Sequence, residues 1–310
     1  MLQVKNLKKT YYTGNFRKQP FNAVDGVSFS IASGETLGLV GESGCGKSTL
    51  GRMIMQLVPP TSGQVVYKGQ DITRVKGNDL KQVRKSMQIV FQSPQSALNP
   101  HLRVLDSICE PMQVQGCPRN NKEQLLQAVK LIETVGLKPQ HLYRYPRELS
   151  GGQIQRAALA RILSLQPELI IADEPTSMLD VSVQAHVLQL LRDIKNGQGI
   201  ACLFISHDLD VVQCMSDRIA VMYRGQIVEL GDTEDVVRHP RHPYTQLLVD
   251  LFSSLESKPA TLNYGKNKSL AAAGCGFYSL CPRADKDCLR QPELIEAGTG
   301  HFVSCSKIAL

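Results

Sequence analysis

Apolar and polar residues alternate in several short stretches of the first third of the chain. This period-two alternation predicts half-buried β-strands. The clearest stretches are LQVKNL from residue 2, VSFSIA from residue 27 and SGQVVYKGQDI from residue 62. An apolar run, TLGLV at 36–40, has the length of a fully buried strand. The chain therefore opens with predicted strands rather than helices.

The centre of the chain changes to a helical spacing. Residues 103–135 are dominated by it. In KEQLLQAVKLIETVGL the apolar residues stand three or four positions apart: Leu125, Leu126, Val129, Ile132 and Val135. Two apolar runs, ELIIA at 168–172 and ACLFIS at 201–206, follow with a helical segment between them, and RIAVMYRG with QIVELG predicts a hairpin. This alternation predicts a parallel sheet that is covered on both faces.

Composition and charge narrow the class of protein. A length of 310 residues with 42% hydrophobic and 20% charged residues is typical of a globular protein with one large domain or two modest ones. No run approaches the roughly 18 apolar residues of a membrane helix, and the start MLQVKNLKKTYY lacks the layout of a secretory signal. The net charge is +7, but the chain has no dense run of lysine and arginine with interleaved aromatic residues. We therefore expect no nucleic-acid partner.

A glycine-rich segment predicts a phosphate site. GESGCGKST at 41–49 matches G-x-x-x-x-G-K-[ST] and lies between the run TLGLV and a predicted helix, STLGRMIMQLV. Backbone N–H groups of such a loop face phosphate oxygens, Lys47 brings positive charge to the β- and γ-phosphates, and the Ser48 hydroxyl binds Mg²⁺. Tyr11 or Tyr12 is the predicted stacking partner of adenine, with Tyr11 preferred. The expected loop contacts to ATP are Gly41, Ser43, Gly44, Cys45, Gly46, Lys47, Ser48 and Thr49.

Polar residues at the ends of three predicted strands supply the chemistry that this loop needs. Asp173 and Glu174 close LIIADEP, Gln92 follows QIVF, and His207 follows ACLFIS. Asp173 suits the outer sphere of Mg²⁺, and Glu174 is the predicted base that polarises the attacking water. Gln92 is predicted to sense the metal and the water, and His207 to contact the γ-phosphate or the water. The set predicts hydrolysis of ATP.

A second anion cradle follows the first by about a hundred residues. In RELSGGQIQR, a serine, two glycines and a glutamine open a predicted helix, and a helix start carries partial positive charge. The cradle residues are Ser150, Gly151, Gly152 and Gln153. The apolar residues that mark the buried face of this helix are Ile154, Ala157, Ala158, Ile162 and Leu165. One nucleotide does not need two cradles from one chain.

These motifs, in this order, resemble those of ATP-binding-cassette (ABC) ATPases over roughly residues 1–250. The matching positions are Gly41–Thr49, Gln92, Leu149–Gln153, Leu169–Glu174, Ser177–Asp180 and His207. The resemblance implies an α/β fold: a P-loop NTPase (RecA-like) parallel-sheet core, an antiparallel β subdomain and a helical signature subdomain at about 95–160. It also implies two cassettes packed head to tail, with each nucleotide between one phosphate loop and the opposite signature Ser150–Gln153. Asp180 would contact the nucleotide site across that interface.

A finer resemblance concerns the role of the chain. FQSPQSALNP, YRYPRELSGGQ, DVSVQAHVL, FISHDLDVV and HPRHPYTQLL look like segments of ATPase subunits of dipeptide, oligopeptide and nickel importers. The likeness implies a peripheral subunit on the cytoplasmic face of the cell membrane. It also implies two transmembrane permease subunits, an extracytoplasmic substrate-binding protein and a second, usually non-identical ATPase. Import of peptides is the leading expectation; import of nickel or a metal chelate is the alternative, and a soluble non-transport ABC ATPase is less favoured.

The last part of the chain carries four clustered cysteines. A polar linker, SSLESKPATLNYGKNKS, predicts a division into a cassette at 1–250 and a C-terminal cysteine-containing extension at 251–310. Cys275, Cys281, Cys288 and Cys305 follow C-x5-C-x6-C-x16-C, which lacks paired C-x2-C ligands. The tail resembles that of peptide-importer ATPases, some of which carry a [4Fe–4S] cluster. Three alternatives remain open for the four cysteines: they bind such a cluster, they bind Zn²⁺, or they are reduced thiols that pack a small tail domain.

Overall fold

The computed structural model describes residues 1–13, 19–93, 97–116, 120–253 and 274–308. The chain forms two compact units, and each combines segments that are distant in sequence. The first unit contains residues 1–31, 36–73 and 204–310, and the second contains 32–35 and 74–203. The predicted polar linker lies outside the described residues from position 254 onward. The division of the chain near residue 250 stays a prediction.

An antiparallel sheet forms one part of the first unit. Its strands are β1 (Leu2–Thr13), β2 (Gln19–Ile31), β4 (Ser62–Tyr67) and β5 (Gln70–Asp71), in the order β2-β1-β4-β5. Every neighbouring pair is antiparallel. The strands predicted from alternation are present, but β1 and β2 are longer, because exposed Tyr11 and Tyr12 continue the pairing opposite Phe21 and Pro20. The predicted antiparallel β region is confirmed.

The second sheet of the first unit positions the phosphate loop. It contains β3 (Thr36–Val40), β9 (Arg218–Tyr223), β10 (Gln226–Asp232), β11 (Ile295–Gly298) and β12 (His301–Val303), in the order β11-β12-β10-β9-β3. Residues 204–206 of β8 (Ala201–Ser206) belong to the same unit. β3 runs parallel to β9, whereas β9, β10, β12 and β11 pair antiparallel in turn. All five residues of β3 are buried, as expected of an apolar run that is covered on both faces.

The helices connect these strands and those of the second unit. They are α1 (Lys47–Ile54), α2 (Gly77–Ser86), α3 (Val104–Gln115), α4 (Asn121–Thr134), α5 (Gly151–Leu163), α6 (Val181–Gln198), α7 (Leu209–Met215), α8 (Thr233–Arg238) and α9 (Pro243–Ser253). Within the described ranges, none of them has both the length and the apolarity that a membrane crossing requires.

The second unit holds the other predicted strands and most of the helices. β6 (Met87–Val90) runs parallel to β7 (Leu169–Asp173), and residues 201–203 of β8 lie in this unit. All five residues of β7 are buried. Helices α2 to α6 belong to this unit, so the helical spacing predicted over 103–135 is confirmed as α3 and α4.

The buried faces of α4 and α5 differ in two details from the spacing of their apolar residues. Leu125 and Leu126 are 36% and 62% exposed, and the buried face of α4 is formed instead by Gln124, Ala128 and Ile132. Burial of Gln124 is tolerated because its Oε1 accepts a hydrogen bond of 3.2 Å from Gln113. Leu165 is half-buried and lies beyond the end of α5, which stops at Leu163.

Candidate active site

The predicted site residues fall in both units. The first unit carries Tyr11, the phosphate loop and His207. The second carries Gln92, Asp173, Glu174, the signature segment and Asp180.

Glycines at both ends shape the phosphate loop that follows β3. A Cβ atom on Gly41 would lie 2.1 Å from the carbonyl oxygen of Met222. One on Gly46, whose φ is 111°, would lie 2.0 Å from the carbonyl oxygen of Ala23. Because both obstacles are backbone atoms, no side-chain movement relieves them. The path of the loop against β9 and β2 therefore requires glycine at these two positions.

Lys47 is the first residue of α1 and is only 4% exposed. Its Nζ donates hydrogen bonds to the carbonyl oxygens of Gly41, at 2.7 Å, and Glu42, at 2.9 Å. These bonds satisfy an ammonium group whose burial would otherwise be costly. Ser48 and Thr49 follow in the first turn of α1 and are half-buried. The Lys47 ammonium and the start of α1 thus lie side by side, and both favour binding of a phosphate group.

The tip of the loop offers backbone rather than side-chain chemistry. Ser43 and Gly44 are exposed, whereas the Cys45 side chain is buried. Burial raises the pKa of the Cys45 thiol, although the nearby Lys47 ammonium opposes the shift. The thiol therefore stays protonated and is a poor nucleophile. The carbonyl oxygen of Cys45 accepts a hydrogen bond of 2.8 Å from the Gly225 N–H, which fixes the loop to the β9–β10 turn.

The other two predicted residues of the first unit are both accessible. His207 is exposed and follows directly after β8. The next residue, Asp208, caps α7 by accepting hydrogen bonds from the N–H groups of Asp210 and Val211, at 3.0 and 3.2 Å. Tyr11 lies on β1 with 38% of its surface exposed, and Lys9 Nζ stands 5.1 Å from its ring centroid. Stacking of adenine on Tyr11 stays a prediction.

The predicted base and the predicted sensor residue meet in the second unit. Asp173 ends β7 and is 4% exposed, and Glu174 follows in the left-handed region with φ at 48°. A residue other than glycine rarely adopts that conformation, and such strain is concentrated at functional sites. Gln92 Nε2 donates a hydrogen bond of 2.7 Å to Glu174 Oε2. This bond joins the loop after β6 to the end of β7 and orients the Glu174 carboxylate.

The signature segment forms the start of α5. Ser150 is the N-cap: its hydroxyl accepts a bond of 3.4 Å from the Gln153 N–H, and its own N–H donates one of 3.0 Å to Gln153 Oε1. This reciprocal pair is a capping box. A Cβ atom on Gly152 would lie 2.4 Å from Val183 Cγ1, so any larger residue there would displace the Val183 side chain of α6. Ser150 and Gly151 are exposed, and the helix start is accessible to an anion.

The exposed Asp180 is the N-cap of α6. Its neighbours Met178 and Val181 are 67% and 84% exposed. Two apolar side chains thus flank the predicted cross-interface residue on the surface of the second unit.

Sequence reasoning missed two buried residues that support the site. Gln155 is fully buried in α5, and its Nε2 donates a bond of 2.7 Å to the carbonyl oxygen of Pro175, directly after Glu174. Tyr244 is fully buried, and its hydroxyl oxygen accepts a bond of 3.0 Å from the Glu42 N–H of the phosphate loop. A glutamine among the apolar residues of a helix was a usable signal for Gln155. No local pattern relates Tyr244 to a loop 202 positions earlier.

The four tail cysteines lie around one small cavity of about 10 Å³, which is lined by Cys275, Cys281, Cys288, Cys305, Phe277 and Lys307 among others. Burial raises the pKa of the thiols of Cys275, Cys281 and Cys305, and their proximity to one another adds to the shift. None of the eight described cysteines forms a disulfide. Among the described residues, no three or more His, Cys, Asp or Glu side chains are arranged to share a metal ion.

A glycine loop around a buried lysine, between a buried strand and a helix, defines a phosphate-loop nucleoside triphosphatase. Two family profiles specify the class further. The ABC transporter profile matches residues 24–177, and the profile for the C-terminal region of oligopeptide/dipeptide transporters matches residues 228–288.

Individual proteins agree with these profiles. The oligopeptide transport ATP-binding protein AppF of Bacillus subtilis (strain 168) is 44% identical, over 98% of this chain and 96% of its own. The ATP-binding cassette MJ0796, solved as a dimer in a post-hydrolysis state with ADP and Pi, gives a TM-score of 0.68 at 29% identity. That match covers 75% of this chain and 99% of the cassette. CbiO1 of Clostridium perfringens, part of an ABC transporter complex, gives 0.66 at 25% identity, over 83% and 95% of the two chains.

The chain belongs to the ABC transporter family and is an ATPase of that family. The predicted fold class is confirmed by these relatives and by the mixed α/β structure.

Proposed function

We propose that this ATPase powers an importer of dipeptides and oligopeptides and lies peripherally on the cytoplasmic face of the cell membrane. The observation that carries the proposal is the similarity to an oligopeptide transport ATP-binding protein over 98% of the chain, with the matching C-terminal region at 228–288. Its partners in this proposal are a second ABC ATPase, two transmembrane permease subunits and an extracytoplasmic substrate-binding protein. The cassette at 1–250, with its helical subdomain at about 95–160, is the part that binds ATP.

The phosphate loop holds the nucleotide in this proposal. Backbone N–H groups of Gly41–Thr49 surround the phosphates, and Lys47 neutralises the β- and γ-phosphate charge. The Lys47 ammonium already lies on the loop carbonyls, so it needs little movement to reach a phosphate oxygen. Tyr11 stacks on adenine.

Mg²⁺ requires hard oxygen ligands, and the chain offers them. Ser48 supplies a hydroxyl, Asp173 a buried carboxylate for the outer sphere, and Gln92 an amide oxygen, since its Nε2 is directed at Glu174. When bound, Mg²⁺ neutralises the charge that develops on the transferred phosphoryl group. Glu174 accepts a proton from the attacking water, and His207 holds the γ-phosphate or that water.

The signature segment acts on the nucleotide of a second cassette. Ser150 and Gly151 are exposed at the capped helix start that they form with Gly152 and Gln153. Asp180 stands beside exposed apolar residues on the same unit. An exposed anion cradle and exposed apolar side chains are both features that a partner surface covers. ATP therefore closes the dimer, and hydrolysis opens it and moves the permeases.

Transport of a labelled peptide tests the cargo. In cells that carry the assembled transporter, Lys47→Ala is expected to lower uptake of a radiolabelled tripeptide by about 10²-fold, because one key phosphate contact is lost. The matched control is Lys81→Ala, which removes an exposed lysine of α2 and leaves uptake unchanged. If radioactive nickel uptake, and not peptide uptake, depends on Lys47, the nickel importer replaces this proposal.

A second proposal concerns the tail: Cys275, Cys281, Cys288 and Cys305 bind a [4Fe–4S] cluster or Zn²⁺. Its support is that the four thiols line one cavity. The fit is incomplete, because the cavity has the size of about one water molecule and the described residues do not form a ready ligand set. Binding would require the thiols to lose protons and to rearrange.

Metal analysis decides this second proposal. Protein purified without oxygen is expected to contain about four iron and four sulfide ions per chain for a cluster, or one zinc ion without colour. All four cysteines should then resist alkylation until the protein is unfolded. Colourless, metal-free protein with four reactive thiols in the folded state overturns the proposal. The exposed Cys214, outside the cavity, serves as the reactive control.

A further inference from the structure

One hydrogen bond links the phosphate loop to the segment that follows β10. The Glu42 N–H, at the second position of the loop, donates to the Tyr244 hydroxyl oxygen at 3.0 Å. Besides this bond, the Gly225 N–H holds the loop from outside through the carbonyl oxygen of Cys45. Lys47 and the bond of 3.3 Å from the Cys45 N–H to the Glu42 carbonyl act within the loop itself. Tyr244 is therefore an external support for a segment without regular secondary structure.

Tyr244 is itself held firmly. Its side chain is fully buried, and its N–H donates a bond of 3.0 Å to His242 Nδ1. The His242 N–H in turn donates a bond of 2.9 Å to Glu229 Oε2 on β10. Burial raises the pKa of the Tyr244 hydroxyl well above its usual range, so the group remains neutral. A neutral, fixed hydroxyl is a dependable acceptor for the Glu42 N–H.

The tail packs on the ring of Tyr244. Phe277 is 1% exposed, and its ring centroid lies 5.6 Å from that of Tyr244 and 5.4 Å from that of Tyr223. Tyr223 and Tyr244 lie 4.5 Å apart. We call Tyr223, Tyr244 and Phe277 the aromatic cluster. Phe277 belongs to the turn between Cys275 and Cys281, where the Cys281 N–H donates to the Phe277 carbonyl oxygen at 3.0 Å.

The tail is also anchored to the sheet behind the cluster. β12 pairs with β10, and His301 Nε2 lies 2.7 Å from Glu229 Oε1, with both side chains buried. The same Oε1 accepts the Arg241 N–H at 2.8 Å. One buried carboxylate thus joins the tail strand to the segment that carries Tyr244.

We propose that Tyr244 is a positioning residue for the phosphate loop, and that Phe277 makes nucleotide affinity depend on the folded tail. The inference rests on the proposed role of Gly41–Thr49 as the nucleotide cradle. The hydroxyl of Tyr244 fixes the backbone at Glu42 without touching the nucleotide. Packing of Phe277 keeps the Tyr244 ring in the rotamer that reaches this N–H. Any change that loosens the tail therefore lowers nucleotide affinity through Phe277 and Tyr244.

Removal of the hydroxyl tests the first part. With the full-length chain, Tyr244→Phe is expected to weaken binding of ADP in the presence of Mg²⁺ about fivefold, as expected for loss of one hydrogen bond to a loop amide. In the assembled transporter the KM for ATP should rise by about the same factor while kcat stays within about twofold, because the reacting groups are unchanged. The matched control is Tyr223→Phe, which removes from the same cluster a hydroxyl that bonds to Arg224 and not to the Glu42 N–H. It should leave both quantities unchanged.

A double-mutant cycle tests the second part. Phe277→Ala is expected to weaken ADP binding about as much as Tyr244→Phe, and the double variant to be no weaker than either. Leu289→Ala, at an exposed leucine of the tail, is the control. Unchanged affinity in Tyr244→Phe, or additive effects in the double variant, overturns the inference. If instead Lys47→Ala binds ADP as tightly as the parent, the phosphate loop itself has been assigned wrongly.

Discussion

Glu174→Gln is expected to lower ATP turnover about 10²- to 10⁴-fold, which is the usual contribution of a positioned general base. Binding of ATP should persist, because the substitution keeps the shape of the side chain. Its amide oxygen can still accept the 2.7 Å bond from Gln92 Nε2 after rotation of the amide. With ATP and Mg²⁺ the variant and the second ATPase should elute together as a dimer in size-exclusion chromatography, because hydrolysis no longer opens the closed state.

Steady-state phosphate release measures the effect. The control is Glu168→Gln, which alters a carboxylate at the opposite end of β7 and should leave turnover close to that of the parent. Parental turnover in Glu174→Gln would show that another group takes the proton. A loss of ATP binding would show that Glu174 shapes the nucleotide site rather than the chemical step.

Ser150→Arg is expected to lower the ATPase activity of the assembled transporter by about 10²-fold or more, while the isolated chain still binds ATP. Ser150 is exposed, so the longer side chain is accommodated within one chain but obstructs a phosphate group that a partner brings to the start of α5. Equilibrium binding to the isolated chain and ATPase activity of the complex give the two readings.

Loss of the cap must be separated from obstruction. Ser150→Ala removes the same hydroxyl, which costs about 1 kcal/mol at a helix start, and adds no bulk. It should shift the thermal midpoint as Ser150→Arg does, but retain substantial activity. If Ser150→Arg abolishes ATP binding by the isolated chain, the signature does not act across an interface.

The sequence predicts those parts of the site that depend on local pattern. The strands β3, β7 and β8, the phosphate loop and the capped start of α5 each follow from a few adjacent residues, and the structure contains them. Gln92 and Glu174 were each expected near the site, and their direct contact adds the orientation of the carboxylate.

The parts that the sequence does not predict depend on partners far apart in the chain. β11 and β12 have four and three residues, too few for a clear alternation, and β12 is held by β10 some 70 positions earlier. The buried face of α4 includes Gln124, which accepts a bond from Gln113 on α3, and leaves Leu126 exposed. Tyr244 and Glu42 are 202 positions apart in sequence, and the fold brings them into hydrogen-bond contact. Periodicity locates such residues on an element but does not name their partners.

The pairing of β12 with β10 determines where the chain can be truncated without exposing the sheet. A fragment that stops at Ser253 would retain the Glu229 carboxylate inside the sheet without its imidazole counterpart, a costly buried charge. It would also bare the backbone of β10 along a flank where foreign chains add as extra strands. Aggregation of such a fragment would reflect the lost pairing of β10 with β12 and not a defect of the ATPase itself.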